Sequence, residues 1–348
     1  MKVLLYSDNH WTQYSSIVRR RGEKYSLRLE NQIQSLNWVE QTAIDYGCKQ
    51  IICLGDFFDK ESLNSEELSA LNEINWSQDI YHYFIVGNHE IGINNLKYNS
   101  AKVFNMLQKC DTISEPQFMS YNNILLIPYD LNSSNKSIKD YFNNNCIPEK
   151  LIVLSHNDIK GIQYGKYTSQ SGFDLNDIEN NCALFINGHL HNNKYLNDKK
   201  TILNLGNLTG QNFSEDASVY THNICILDTD TLKIELIENP YAFNFYKLNF
   251  TNSDIVNIKN DLSKLKNNAV ITIKAFEKQL TDIRNILHSL KNIVESRIII
   301  EPEVIEGQSR NTEELVKLNY IEQFNDYILN TLGNDKLVLE ELEAINVN

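Results

Sequence analysis

The chain lacks the patterns that mark several classes of protein. Its six cysteines are scattered, and no two are separated by only two residues, which excludes a zinc knuckle and a CxxC redox pair. No apolar run approaches the ~20 residues that a membrane-spanning helix requires. The opening residues MKVLLY contain too short an apolar run for the core of a signal peptide. We therefore expect a cytoplasmic protein with reduced thiols.

Positive charge is also scarce. The chain has 32 Lys and Arg residues against 45 Asp and Glu residues, a formal net charge of −13. This balance argues against uniform, charge-driven binding to nucleic acid, although it leaves room for a local basic patch. Bound divalent cations would also reverse the local sign of an acidic cleft.

Short apolar runs of strand length are present along the first two thirds of the chain. Continuous runs of this kind are typical of strands buried on both faces. The clearest are Val3–Tyr6, Ile51–Leu54, Tyr83–Val86, Ile124–Ile127, Leu151–Leu154 and Leu184–Ile186. Apolar residues at helical spacing occur between them, most clearly from Leu29 to Ala43, with Gly47 as a predicted C-cap. Strands that alternate with helices predict a layered α/β core in residues 1–240.

A second region begins near Pro240. Residues 241–306 show the order strand, helix, strand, helix, strand, which predicts a small α/β domain. Gly307-Gln308-Ser309 then resembles a linker, and two amphipathic helices are predicted within 307–348. Those helices either pack on their own chain or bind a partner, and the sequence leaves both alternatives open.

Five polar clusters follow directly after the apolar runs. In chain order they are Asp8-Asn9-His10, Gly55-Asp56-Phe57-Phe58-Asp59, Gly87-Asn88-His89-Glu90, Ser155-His156 and Gly188-His189-Leu190-His191. Each cluster alone is a weak signal, but together they contain five of the eight histidines. Oxygen and nitrogen donors without thiolate suit Mn²⁺, Fe²⁺ or Zn²⁺, and one carboxylate can bridge two such cations about 3.5–4 Å apart. The ordered set therefore predicts a two-metal site.

The series D-x-H, G-D-x-x-D, G-N-H-E, S-H and G-H-x-H resembles the calcineurin-like metallophosphoesterase superfamily over about residues 1–210. The resemblance implies a β-sandwich flanked by helices. It implies that one metal is held by Asp8, His10, Asp56 and His191, and the other by Asp56, Asn88, His156 and His189. It further implies that His89 contacts the scissile phosphate and protonates the leaving oxygen, and that Asp59 orients His89.

Within that superfamily the chain is most similar to the SbcD-type nucleases of double-strand break repair, especially the recombination endonuclease subunit of tailed phages. The segment LGNLTGQNF at 205–213 resembles the glycine turn of that branch, and Trp11-Thr12 departs from its usual Leu-Gly. The small domain and the terminal helices match the positions of a DNA-capping domain and of a segment that binds an SbcC-type coiled-coil ATPase. The resemblance thus implies DNA as substrate, Mn²⁺ as the preferred metal and a homodimer, in a host cytoplasm if the protein is phage-encoded.

A basic run follows the first cluster. It consists of Arg19, Arg20, Arg21, Lys24 and Arg28. These side chains either contact DNA phosphates beside the cleft or form a solvated helix start that balances the acidic surface.

We therefore predict a two-metal DNA exonuclease or endonuclease. Two alternatives stay open. One is a metallophosphatase or phosphodiesterase that acts on another substrate. The other is a non-catalytic scaffold that uses metal structurally and links an ATPase to DNA.

Overall fold

The computed structural model describes residues 1–13, 21–142, 148–164 and 167–302. The predicted linker and C-terminal helices lie outside the described residues, as do Arg19, Arg20 and Cys146. Met1–Glu301 forms one compact unit. The five described cysteines are all free, and among the described residues no helix is both long and apolar enough to cross a membrane.

The described residues form 17 strands and five α-helices. The strands are β1 (Lys2–Tyr6), β2 (Gln50–Cys53), β3 (Tyr81–Ile85), β4 (Cys110–Ile113), β5 (Gln117–Met119), β6 (Ile124–Ile127), β7 (Ile152–Ser155), β8 (Gln163–Tyr164), β9 (Tyr167–Thr168), β10 (Leu184–Asn187), β11 (Lys194–Tyr195), β12 (Ile202–Asn204), β13 (Asn223–Asp228), β14 (Lys233–Glu238), β15 (Asn244–Asn249), β16 (Ala269–Phe276) and β17 (Ile293–Glu301). The helices are α1 (Leu27–Asp45), α2 (Ser65–Ala70), α3 (Leu175–Asn181), α4 (Ile255–Ser263) and α5 (Leu280–Ser289). Short 3₁₀ helices occur at Leu71–Glu73, Ser100–Met106, Ser133–Asn135, Ile138–Tyr141 and Glu277–Gln279.

Two six-stranded sheets form the larger part of the molecule. One has the order β14-β13-β1-β2-β3-β4 and the other β11-β12-β10-β7-β6-β5. Successive side chains of a strand point to opposite faces, so Val3 and Leu5 of β1 join an apolar cluster shared with Ile152 and Leu154 of the other sheet. The two sheets therefore pack face to face on a common core.

The outer faces of the two sheets carry the helices. Leu4 and Tyr6, which alternate with the inward residues of β1, pack in a cluster with the α1 residues Leu29 and Leu36. On the other sheet, a separate cluster contains Phe185 of β10 and Ile178 of α3. The fold class expected from the sequence, a β-sandwich flanked by helices, is confirmed.

Helix α1 is bounded by a capping serine at its start and by the predicted Gly47 at its end. The side chain of Ser26 accepts a hydrogen bond from Leu29 N at 3.2 Å, which satisfies one of the free N–H groups of the first turn. Gly47 follows the helix with φ of +68°, a left-handed conformation that glycine adopts without steric cost.

Strands β4 and β5 were not expected from the sequence. Both are last in their sheets, and both contain exposed residues, such as Asp111 and Phe118. Edge strands of this kind lack the continuous apolar run that identifies a strand buried on both faces.

Residues beyond Ala242 form a third sheet. Its order is β15-β16-β17, and all three strands are parallel. Helices α4 and α5 lie between successive strands in the chain, as a parallel connection requires. Their apolar residues, including Ile258, Leu262 and Ile283, pack with Ile271 and Ile273 of β16 in a hydrophobic cluster of their own.

An aromatic cluster lies beneath the second polar motif. Phe104 stacks on Phe84, with ring centroids 3.8 Å apart, and lies 4.8 Å from the ring of Phe57. Phe57 is fully buried and stands between Asp56 and Asp59 in the chain. The packing of Phe104 therefore supports the segment that carries both carboxylates.

We expect Phe104→Ala to lower the free energy of unfolding by about 3–5 kcal/mol, because it removes a buried ring from close packing. The matched control is Met106→Ala in the same 3₁₀ helix, where Met106 is 86% exposed. That change should stay within about 0.5 kcal/mol. Chemical denaturation of both variants measures the difference, and equal stabilities would show that the aromatic cluster is not a determinant of stability.

Candidate metal centre

The five polar clusters meet at the carboxyl ends of neighbouring parallel strands. Asp8, Asp56 and Asn88 follow β1, β2 and β3, which are adjacent and parallel in the first sheet. His156 and His189 follow β7 and β10, which are adjacent and parallel in the second. The carboxyl edges of the two sheets thus bring together side chains that are far apart in the sequence.

The first group of potential ligands contains Asp8, His10 and His191. One ligand atom from each lies within 4.8 Å of the others. The Nε2 atoms of His10 and His191 are 3.2 Å apart. Oδ1 of Asp8 is buried without a hydrogen-bond partner among the described residues. Two facing imidazole nitrogens beside an unpaired carboxylate oxygen are a donor set that suits a cation.

The second group contains Asp56, His156 and His189, whose ligand atoms also lie within 4.8 Å of one another. Oδ1 of Asn88 is 3.2 Å from Nε2 of His156 and 3.0 Å from Nδ1 of His189. An amide oxygen and two imidazole nitrogens therefore converge with a carboxylate. This mixture of hard oxygen and imidazole donors suits a divalent transition metal.

Asp56 lies between the two groups. Its Oδ2 atom is 3.0 Å from Nε2 of His156 and 3.9 Å from Nε2 of His10. Its carboxylate is 2% exposed. The donor sets fit two cations, and Asp56 would be the carboxylate shared between them.

The charges of the second group depend on each other. Burial lowers the pKa of His156, but the facing carboxylate of Asp56 outweighs it and raises that pKa to about 9. Burial acts to raise the pKa of Asp56, yet His156 holds it below its ordinary value. A cation that binds between them must displace the proton of His156, so metal affinity should decrease as the pH falls.

Several ligand residues have an unusual backbone conformation. The φ angles of Asp8, His10, Asp56 and His189 are +49°, +46°, +48° and +74°. For residues other than glycine, this left-handed region costs about 1–2 kcal/mol each. Such conformations are found at functional sites, where the surrounding structure holds them in place.

The glycines of the motifs allow close approach of the ligands. A Cβ atom at Gly87 would lie 2.1 Å from Oδ1 of Asp56, and one at Gly55 would lie 2.4 Å from Nδ1 of His156. Gly55 also has φ of +104°, as a tight turn requires. At Gly87 the requirement is space for the carboxylate, which the sequence did not reveal.

The second nitrogens of three imidazoles also have partners. Nδ1 of His10 is 3.1 Å from Oδ1 of Asp59, and Nδ1 of His156 is 2.8 Å from the backbone oxygen of Leu54. Nε2 of His189 is 3.4 Å from Oδ1 of Asp158. Such partners orient a ligating ring and determine which nitrogen carries the proton. Asp158 was not identified from the sequence, although it lies two residues after His156.

Asp59 contacts both His89 and His10, through different atoms. Its backbone oxygen is 2.9 Å from Nδ1 of His89, whereas its carboxylate is 4.0 Å from that nitrogen. The carboxylate instead pairs with His10. Asp59 therefore reaches His89 through its main chain and His10 through its side chain.

Glu90 has a structural role that the sequence did not indicate. It is completely buried and accepts hydrogen bonds from Gly87 N at 2.6 Å and Phe58 N at 3.1 Å. The bond from Phe58 joins the loop after β3 to the loop after β2, and the bond from Gly87 closes the loop after β3 on itself. Burial and the nearby charge of Asp56 raise the pKa of Glu90 to about 8.

The basic run is only partly at the surface. Arg21 pairs with Glu66 at 2.7 Å, and Lys24 pairs with Glu73. The prediction that Arg28 contacts DNA needs correction, because this side chain is 3% exposed and donates to Gly210 O at 3.1 Å and to Gln211. Its guanidinium stabilises a loop inside the protein.

A sandwich of two sheets with a two-cation donor set at its strand ends defines a metal-dependent phosphoesterase. The family described as calcineurin-like phosphoesterase matches residues 1–193, and the chain belongs to that family. It is a hydrolase of phosphoesters, and the family uses two divalent metal ions.

Solved structures with low similarity include two members of this class. A dimetal phosphatase from Danio rerio is 11% identical, with a TM-score of 0.37, and the match covers 69% of this chain and 99% of that one. The calcineurin-like phosphoesterase YfkN from Bacillus subtilis is 10% identical, with a TM-score of 0.33, and the match covers 68% of this chain and 88% of that one. A search of curated protein sequences finds no significant match.

We expect Gly87→Ala to abolish tight metal binding, because the added Cβ would overlap Oδ1 of Asp56 and displace the central carboxylate. The control is Gly92→Ala, whose Cβ would meet no atom closer than 3.3 Å. Metal content after dialysis against trace Mn²⁺ measures the effect. Full metal content in Gly87→Ala would contradict the central position of Asp56.

Proposed function

We propose that the protein is a phosphodiesterase that acts on DNA, as an SbcD-like nuclease subunit of a break-processing complex. The observation that carries the proposal is a basic domain packed beside the loop that follows the metal-binding histidines. The predicted domain 241–306 contains nine Lys and Arg residues against eight Asp and Glu residues, and its described part, residues 241–302, contains the same nine against six, a net charge of +3, in a chain whose total is −13.

The contacts between this domain and the loop are specific. Ala217 N donates to Phe245 O at 2.6 Å, and Gly210 N donates to Phe243 O at 3.2 Å. The ring of Phe213 meets Phe245 edge-to-face at 5.5 Å. A polyanion that enters the metal centre would therefore pass close to the part of the chain with excess positive charge, which favours DNA over a small phosphoester.

His89 is suited to the role of general acid. Its side chain is 41% exposed, and its ring centroid lies 4.6 Å from that of His10. Because the Asp59 carbonyl accepts a hydrogen bond from Nδ1–H, Nε2 is the atom that can carry a proton to the leaving oxygen.

The other residues bind and orient the reacting groups. Asp8, His10, Asp56 and His191 would hold one cation, and Asp56, Asn88, His156 and His189 would hold the second. Two bound cations supply positive charge to the phosphate oxygens and lower the pKa of water. Mn²⁺ is the metal that we favour, because the SbcD-like branch implies it and the donor set accepts it.

The proposal includes two partners. By resemblance to SbcD-type nucleases, the protein would act as a homodimer together with an SbcC-type coiled-coil ATPase. Residues 307–348 are the proposed binding segment for that ATPase, because an apolar stripe follows the Gly307-Gln308-Ser309 linker in the sequence.

We expect His89→Asn to retain both metal ions and DNA affinity while hydrolysis falls by ~10²-fold or more, because a general acid contributes about that factor. Single-turnover cleavage and metal content measure the two properties. A fully active variant would rule out His89 as the proton donor.

The DNA assignment is tested with end-labelled duplex and single-stranded DNA in Mn²⁺, with and without a candidate SbcC-like ATPase. Bis(4-nitrophenyl) phosphate serves as a small phosphodiester. We expect DNA cleavage that His89→Asn abolishes. Turnover of the small diester, with DNA neither bound nor cut in any combination, would support a phosphoesterase with another substrate.

A charge variant tests the role of the basic domain. Lys259 and Lys264 are exposed at helix α4. The salt dependence of binding is measured as the slope of the logarithm of the DNA-binding constant against the logarithm of the salt concentration. Replacement of both lysines by Gln should reduce the magnitude of this slope by about 0.9 for each DNA phosphate that the variant no longer neutralises. The control replaces the exposed pair Lys199 and Lys200 and should leave the slope unchanged. Equal slopes in all three proteins would exclude Lys259 and Lys264 as phosphate-binding residues.

A further inference from the structure

Glu215 is a buried carboxylate on the loop between β12 and β13. The residue is 5% exposed. Its Oε1 atom accepts hydrogen bonds from Asn207 Nδ2 at 3.1 Å and from Gln211 N at 3.0 Å. Its Oε2 atom has no hydrogen-bond partner among the described residues and lies 3.9 Å from Nε2 of His222. Burying a carboxylate with one oxygen unpaired costs free energy unless a nearby group interacts favourably with its charge.

The group that Glu215 faces is a ring of the metal centre. Oε1 of Glu215 is 3.5 Å from Nδ1 of His191, and the opposite nitrogen of that ring faces Nε2 of His10 at 3.2 Å. His10 has the same arrangement, with Asp59 on its Nδ1 atom at 3.1 Å. In both imidazoles of the first group Nε2 faces the other ring and Nδ1 lies next to a carboxylate, in a hydrogen bond for His10 and in a 3.5 Å contact for His191.

We propose that Glu215 is a positioning residue of the metal centre, which holds the His191 ring with its proton on Nδ1 and its Nε2 lone pair toward the first cation. A neutral imidazole carries one proton, so an acceptor at Nδ1 leaves Nε2 free to ligate. An anionic acceptor also strengthens the ligand. The proposal rests on the metal-ligand part of the proposed function and does not depend on DNA.

The loop around Glu215 is fixed on both sides. Gln211 Nε2 donates to the backbone oxygens of Asp8 and Asn9, each at 3.3 Å. On the other side, Ala217 N donates to Phe245 O at 2.6 Å. Because these hydrogen bonds anchor the loop to the first metal loop and to the basic domain, the carboxylate is presented to His191 from a rigid support.

The test compares Mn²⁺ binding by metal-free wild-type protein, Glu215→Gln and Glu215→Ala in calorimetric titrations. Wild type should bind two ions. In Glu215→Ala the affinity for the first cation, at the His191 site, should fall by about 10- to 100-fold, since loss of such a partner typically has that effect. Glu215→Gln keeps a hydrogen-bond acceptor but loses the charge, so its affinity for this cation should lie between those of wild type and Glu215→Ala. The other site should keep its affinity.

Electron paramagnetic resonance gives an independent readout. At limiting Mn²⁺, the spin-coupled signal of an ion pair in wild type should change to the six-line signal of single ions in both Glu215 variants. The control is Asp216→Asn on the same loop, whose carboxylate accepts from Ser218 N at 3.0 Å and Ser218 Oγ at 2.6 Å. It should retain the wild-type signal.

The outcomes separate this proposal from the function as a whole. If Glu215→Gln binds both Mn²⁺ ions with the wild-type affinities and retains the spin-coupled signal, Glu215 does not position His191. The metal centre itself would then be unaffected. A parallel loss at both sites, with a lower melting temperature of the metal-free variant, would make Glu215 a structural residue only. Failure of wild type to bind two ions would instead contradict the metal centre. If Glu215→Ala does not fold, Glu215→Gln against Asp216→Asn decides the question.

Discussion

The buried carboxylate of Asp56 links the two halves of the candidate metal centre. It is buried between an imidazole of the first group and an imidazole of the second, 3.9 Å from His10 Nε2 and 3.0 Å from His156 Nε2. An anion at that depth is unfavourable unless cations or protonated groups surround it. His156, whose pKa this carboxylate raises, is one such group, and the donors around Asp56 fit two cations that would complete the environment.

This arrangement requires unfavourable backbone conformations. Four ligand residues have left-handed φ angles, and Gly87 lacks the Cβ that would occupy the space of Asp56. The stability needed for this comes from the sandwich, whose inner and outer faces are covered by separate apolar clusters. A rigid scaffold therefore supports loops whose conformations would be unfavourable in isolation.

Outside the strands, the loop from Gly206 to Ala217 connects the metal centre to the rest of the molecule. It receives the guanidinium of Arg28 from helix α1, contacts the backbone at Asp8, and packs against Phe245 of the third sheet. A basic residue that the sequence suggested as a surface contact is thus part of the interior support of the site.

Much of the fold could be predicted from the sequence, because the central strands are continuous apolar runs and α1 has a clear apolar stripe followed by Gly47. The edge strands β4 and β5 could not, since their exposed residues interrupt that pattern. Among the site residues, those in ordered motifs were identifiable. Asp158 was not, because a carboxylate near a histidine in the sequence has no distinctive spacing.

The sequence alone determined which donors are available, and that each cluster stands at the end of a strand. The packing of the folded chain sets which atoms meet, because the contacts join residues that are distant along the chain, such as His10 and His191, 181 positions apart. It also decided that the Asp59 carboxylate serves His10 and that Glu215 faces His191. Spacing along a strand fixes the direction of a side chain, but its partner depends on how sheets and loops pack.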